Sequence, residues 1–147
     1  MNIEAILAEW EVDCDINQTD LSTESRRTPK LHAKYYKMLV HERLRLRDLE
    51  IKKKELFHDL HEYYTGDMSE ERLKELDWEP RLTSKVLKSE LPIHIDADKT
   101  WINMNCKMVV QQEKVTLLED IIKVINNRSF HINNIISWEK FRNGIGG

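Results

Sequence analysis

TPKLHAKYYKMLVHERLRLRDLEIKKKELFHDLHEYYTG, from Thr28 to Gly66, is the stretch whose reading decides the fold. Thr28-Pro29 has the chemistry of a helix start, with threonine as N-cap and proline in the first turn, where its missing N–H costs nothing. Neither glycine nor proline recurs before Gly66, so the interval predicts one helix of about 36 residues, about 54 Å long. Its apolar residues return every three to four positions: Tyr35, Leu39, Leu46, Leu49, Leu56, Leu60 and Tyr63 form a seam broken at His32, Glu42 and Lys53. A seam of that period is coiled-coil-like and needs a partner helix. Thr65-Gly66 ends it, with glycine supplying the left-handed residue after a helix.

Outward from this rod the chain stays helical. Asn2–Val12 places Ile3, Ile6, Leu7 and Trp10 at helical spacing, and the polar stretch Asp13–Thr28 reads as a linker. Ser69 is the N-cap of a short helix over Glu70–Leu76, closed by Pro80. Residues 81–97 show some two-residue alternation and a proline at 92, which predicts an extended or β connector. Asp98 caps a helix to about Asn126, whose seam reads Trp101, Met104, Met108, Gln111, Val115, Leu118, Ile122 and Ile125. Asn126-Asn127 is a turn. A last helix over about Phe130–Asn143 should fold back on the one before it as an antiparallel hairpin, with a flexible tail from Gly144.

Composition agrees. Charged residues make up 33% of 147, while four glycines and three prolines are too few for the many turns of a sandwich. No apolar run reaches the roughly 18 residues of a membrane span. The acidic start MNIEAILAEWEVDCD lacks the basic segment of a signal peptide. Cys14 and Cys106 have no metal-ligand spacing and read as free thiols in a reducing cytoplasm. The expected organisation is an acidic helix and linker over 1–27, a basic region over 28–97 and a helical hairpin over 98–147. The chain offers more apolar seam than one copy easily covers, so a homo-oligomer is expected.

The net charge of −3 hides segregation. Residues 1–24 carry seven acids and no Lys or Arg; residues 25–54 carry eleven Lys/Arg against three acids, a block of +8; residues 55–80 carry two against nine. Such a block creates a field that a phosphate chain feels whatever the overall pI. On a helix Arg43, Arg47 and Lys54 fall within about 40° of one another, Arg45 and Lys52 make a second row, and Lys34 and Lys37 continue towards the helix start. With Lys53 these cations are the candidate binding residues for a nucleic-acid backbone, read through phosphates without base specificity. Tyr35 and Tyr36 lie among them as candidate stacking rings, although Tyr35 is also a seam residue. The competing reading is a solvated face that pairs with the sixteen acids of 1–24 and 55–80, or a coiled-coil adaptor whose basic face meets an acidic protein.

Other constellations are weaker. His58, His61 and Glu62 share a helix face but lack a further ligand set, so no metal and no cofactor is expected. His94 with Asp96 and Asp98 reads as a turn and a cap. No phosphate-cradling glycine loop, nucleophile elbow or Cys–His pair occurs, which argues against an enzyme. Trp101, Met104 and Met108 read as core, and Trp138 as core or interface anchor.

The order of these pieces resembles UvsY, the recombination mediator family of tailed phages, over about residues 28–143. The resemblance rests on the pair Lys53-Lys54, the close EYYTGD (Glu62–Asp67), an aspartate-led helix carrying Trp101, and RSFHINNIISWEKFRNG (Arg128–Gly144). It implies a single-stranded-DNA-binding protein that forms a ring-like homo-oligomer, of about six to eight subunits. It further implies help for a RecA-like recombinase in displacing single-strand-binding protein, in the cytoplasm of the host cell. Lys53 and Lys54 match the family's basic pair, whereas His58 and Leu60 stand where members are basic. The last helix matches the assembly region, making Ile132, Ile135, Ile136, Trp138 and Phe141 the implied oligomer interface.

Overall fold

The computed structural model describes residues 1–81 and 85–144; residues 82–84 of the expected connector and the tail beyond Gly144 lie outside them. Within the described residues the chain forms α1 (Ile3–Asp13), α2 (Leu21–Thr65), α3 (Glu70–Leu76), α4 (Leu91–Ala97), α5 (Lys99–Asn126) and α6 (Arg128–Arg142), and no strand. The mainly helical reading therefore holds.

Three boundaries differ from expectation. First, α2 starts at Leu21, and Pro29 lies inside it. Asp20 is the effective cap: its carboxylate accepts from Thr23 N at 3.2 Å and Thr23 Oγ1 at 2.7 Å. An interior proline forfeits a helical hydrogen bond and crowds the preceding turn. Here the turns before it are tied down by Arg27 to Asp13 and by Glu24 to Arg128, contacts invisible to local sequence. Second, the linker shrinks accordingly to the few residues between Asp13 and Leu21. Third, the expected extended or β connector contains α4: Pro92 sits in its first turn, and Leu91 and Ile95, four apart, are both buried. Alternating and helical patterns coincide over so short a run, and burial on one side selected the helix.

The chain divides into two compact units, one of Met1–Leu44 with Gln112–Gly147, the other of Arg45–Gln111. In the first, Ile6, Leu31, Tyr35, Leu39, Val115, Leu118, Ile121, Ile125 and Ile132 are buried; each such side chain removed from water contributes about 1.5–3 kcal/mol. In the second, Leu60, Leu91 and Ile95 form the centre, with Leu56, Tyr64, Trp78 and Trp101 packed around them.

In the first unit α1 is held to α2 by a polar clasp. Asp13 accepts from Lys34 Nζ at 2.6 Å and Tyr35 Oη at 2.9 Å, and Trp10 meets the Tyr35 ring edge-on at 5.3 Å. Burial pushes the Asp13 carboxyl up, but the hydrogen bonds from Lys34 and Tyr35 and the charges of Lys34 and Arg27 outweigh it, leaving its pKa below the ordinary 3.8. A carboxylate favoured by folding stabilises the native state above its unfolded pKa, and that contribution fades as pH falls through the lower folded value. Acidification below 3.8 is therefore expected to loosen α1. The Trp10 emission followed against pH should report it, and Asp13→Asn should flatten the response. An unchanged acid limb in that variant would remove the clasp from the account.

Candidate nucleic-acid interface

The cations of α2 fall into two classes set by their neighbours. In the first unit Lys34 is clasped by Asp13 at 2.6 Å and Glu9 at 3.0 Å; its pKa is raised, chiefly by the bond to Asp13. Arg43 reaches Glu119 of α5 at 3.1 Å. Lys37 is exposed and has no ion pair among the described residues. The competing reading, a basic face paired with the chain's own acids, is thus met for Lys34 and Arg27. Lys34 serves the docking of α1.

In the second unit Arg47 pairs with Glu50 at 3.2 Å and Lys52 with Asp48 at 2.8 Å, both within one helical turn and largely in solvent. The Asp48 hydrogen bond raises the Lys52 pKa. Exposed pairs of this kind are worth about 0–1 kcal/mol, so a phosphate displaces their carboxylates readily. Arg45 is likewise engaged within the chain. Lys53 and Lys54 make no ion pair among the described residues. Lys53 instead lies over the Trp101 ring, Nζ 5.1 Å from its centre.

These two lysines border a groove of about 520 Å³ lined by Glu50, Lys53, Lys54, Phe57, Trp101 and Met108. Phe57 is 47% exposed, and its ring centre is 5.8 Å from that of Trp101 at a 54° tilt. Trp101 is fixed from behind. Asp98 caps α5 by accepting from Thr100 N at 2.8 Å and Trp101 N at 3.3 Å, and also accepts from Tyr64 Oη at 2.7 Å. Burial, then the Asp98 bond, pushes the Tyr64 phenol up to about 12, so it remains a hydrogen donor at any working pH. Trp101 packs against the core, as expected, and its ring also lines the groove; Phe57 is not among the expected site residues. The signal available in the sequence was Phe57 one helical turn after the lysine pair; that Trp101 of α5 faces it emerges only from tertiary structure.

Tyr35 is corrected: it is fully buried and bonded to Asp13, hence a core residue with no face for a base. Tyr36 is half exposed and stacks on His32 at 5.7 Å. His58 pairs with Glu62 at 3.2 Å, and among the described residues no three His, Cys, Asp or Glu gather as a metal site. In α6, Ile132 is 3% exposed and belongs to the unit's own core, which corrects its place in the expected interface. Ile135 and Ile136 are half-buried, while Trp138 and Phe141 are exposed and stacked at 5.8 Å. No helix among the described residues is long and apolar enough to cross a membrane.

A protein family described as "Recombination, repair and ssDNA binding protein UvsY" matches residues 9–145. No curated protein matches. Among solved structures, the bacteriophage T4 recombination mediator protein UvsY in one crystal form is 21% identical, with a TM-score of 0.77 over 97% of this chain and 98% of that one. A second form gives 19% identity and 0.79 over 97% and 99%; a third gives 20% and 0.76 over 94% and 98%. At such identities the likeness establishes the fold.

Proposed function

We propose, since this chain belongs to the UvsY family of recombination, repair and single-stranded-DNA-binding proteins, that it is a recombination mediator. It loads a RecA-like recombinase onto DNA coated with single-strand-binding protein. The family match over nearly the whole chain carries this reading. The Lys53-Lys54 turn, without an ion pair among the described residues and flanked by the weakly paired Arg47 and Lys52, supports it.

Several copies assemble as a ring-like homo-oligomer, for which the exposed Trp138–Phe141 pair and the half-buried Ile135 and Ile136 of α6 offer apolar surface. Each copy presents the lysine turn to the strand. Contact with phosphates bends or wraps the DNA, which weakens the hold of the single-strand-binding protein and exposes a segment on which the recombinase nucleates. The chain hydrolyses nothing itself; its work is binding and positioning.

Two measurements test the reading. Affinity for labelled oligothymidylate should fall with salt at a log–log slope of about −2 per engaged subunit, as expected for about three phosphates neutralised on a single strand. On DNA precoated with single-strand-binding protein, the lag before recombinase ATP hydrolysis should shorten severalfold when the protein is added. A lag that stays the same, with DNA binding intact, rejects mediation. Absence of saturable oligonucleotide binding leaves the adaptor reading.

A further inference from the structure

We propose that the groove lined by Lys53, Lys54, Phe57 and Trp101 is a base-stacking subsite. An unpaired base of the bound strand lies on the Trp101 ring there, and this makes the chain prefer single strands. The inference rests on the single-stranded-DNA reading above and deepens it.

Charge alone does not select a single strand, because a duplex presents the denser array of phosphates. What a single strand offers in addition is the open face of its bases, and every base has one, so an aromatic platform reads strandedness without reading sequence. The groove has the parts for this. Its volume of about 520 Å³ suits a small planar ligand. Trp101 is held at its backbone by the Asp98 cap and packed from behind against Leu60, Leu91 and Ile95, so it meets a base already oriented. Phe57 closes one side at a tilt. Glu50, the one acid of the lining, stands 3.2 Å from Arg47, so the two together bring no net charge to a passing phosphate.

Lys53 shows how the site is kept when empty. Its ammonium rests over the Trp101 ring, a cation on a π face, with no carboxylate among the described residues to hold it elsewhere. A base sliding onto the ring displaces the ammonium, which turns to the flanking phosphate beside Lys54. The exchange trades one contact of the indole face for a larger one and frees a charge where the backbone passes.

The test compares oligothymidylate of about 15 nucleotides with an abasic strand of the same length by fluorescence anisotropy in about 50 mM salt. The intact protein should prefer the base-bearing strand about tenfold. Trp101→Leu, which keeps apolar bulk but removes the π face, should bring that ratio close to one by lowering affinity for the base-bearing strand while abasic binding does not fall, and Trp101→Tyr should restore most of it. Lys54→Ala should weaken both strands alike. Should Trp101→Leu fail to fold, Phe57→Ala, a half-exposed site, should still lower the ratio severalfold. A ratio unmoved by these changes while oligothymidylate still binds overturns the stacking site and leaves the DNA-binding reading standing. The stacking site is likewise overturned if Trp101→Leu alters only the mass of the assembly, since a second copy then covers the groove. If the unaltered protein binds neither strand, the DNA-binding reading itself falls.

Discussion

Arg128→Met is expected to destabilise the first unit by about 3–5 kcal/mol, the cost of removing one partner from a buried ion pair. Arg128 is 4% exposed and Glu24 7%. The guanidinium donates Nη2 to Glu24 Oε2 and Nε to Thr28 Oγ1 at 3.1 Å, while Arg27 adds a weaker bond to Glu24 at 3.2 Å. Arg128 is also the first residue of α6, where the helix dipole disfavours a cation, so Glu24 offsets that penalty as well. Urea unfolding at fixed protein concentration measures the loss. Glu24→Leu combined with Arg128→Met should recover much of it, because an apolar pair leaves no charge stranded. If the two single changes simply add, the residues do not act as a pair and the explanation of how α2 continues before Pro29 fails with it.

The second large effect concerns binding. Changing Arg43, Arg47, Lys53 and Lys54 together to Ala should reduce affinity for single-stranded oligonucleotide on the order of tenfold to a hundredfold at moderate salt, and make the salt dependence shallower. All four are at least partly exposed, and none anchors the buried core, so light scattering should return the same assembly mass. Within the set Lys53 and Lys54 should carry the larger share, because among the described residues they have no carboxylate to leave. Arg43 should carry the least, because it must first release Glu119. Affinity that survives all four changes would place the DNA path elsewhere on the molecule.

The helix ends that use local chemistry were readable in advance. Gly66 adopts φ +79°, Ser69 accepts from Arg72 N, Asp98 caps α5, and α5 gives way to α6 at Asn127. Each depends on residues within a few positions, which a linear reading contains. The errors lie where distant residues decide. The Thr28-Pro29 signal misplaces the start of α2 because the pairing of Glu24 with Arg128, 104 positions away, cannot be seen along the chain. Residues 81–97 carry too short a pattern for periodicity to separate strand from helix. At the candidate site the lysine pair was legible as charge, but the ring that completes it is contributed by α5, and its partnership with Phe57 arises only once the second unit packs.

The clasp between α1 and α2 has a consequence for how basic this molecule looks from outside. An ammonium gripped by two carboxylates, as Lys34 is by Asp13 and Glu9, projects almost no field into solvent. Part of the cationic block thus arrives already titrated by the leading segment of its own polypeptide. Tallying lysines and arginines along the string overstates the electropositive footprint, and a relative with a less acidic leader would display more of it from an identical rod.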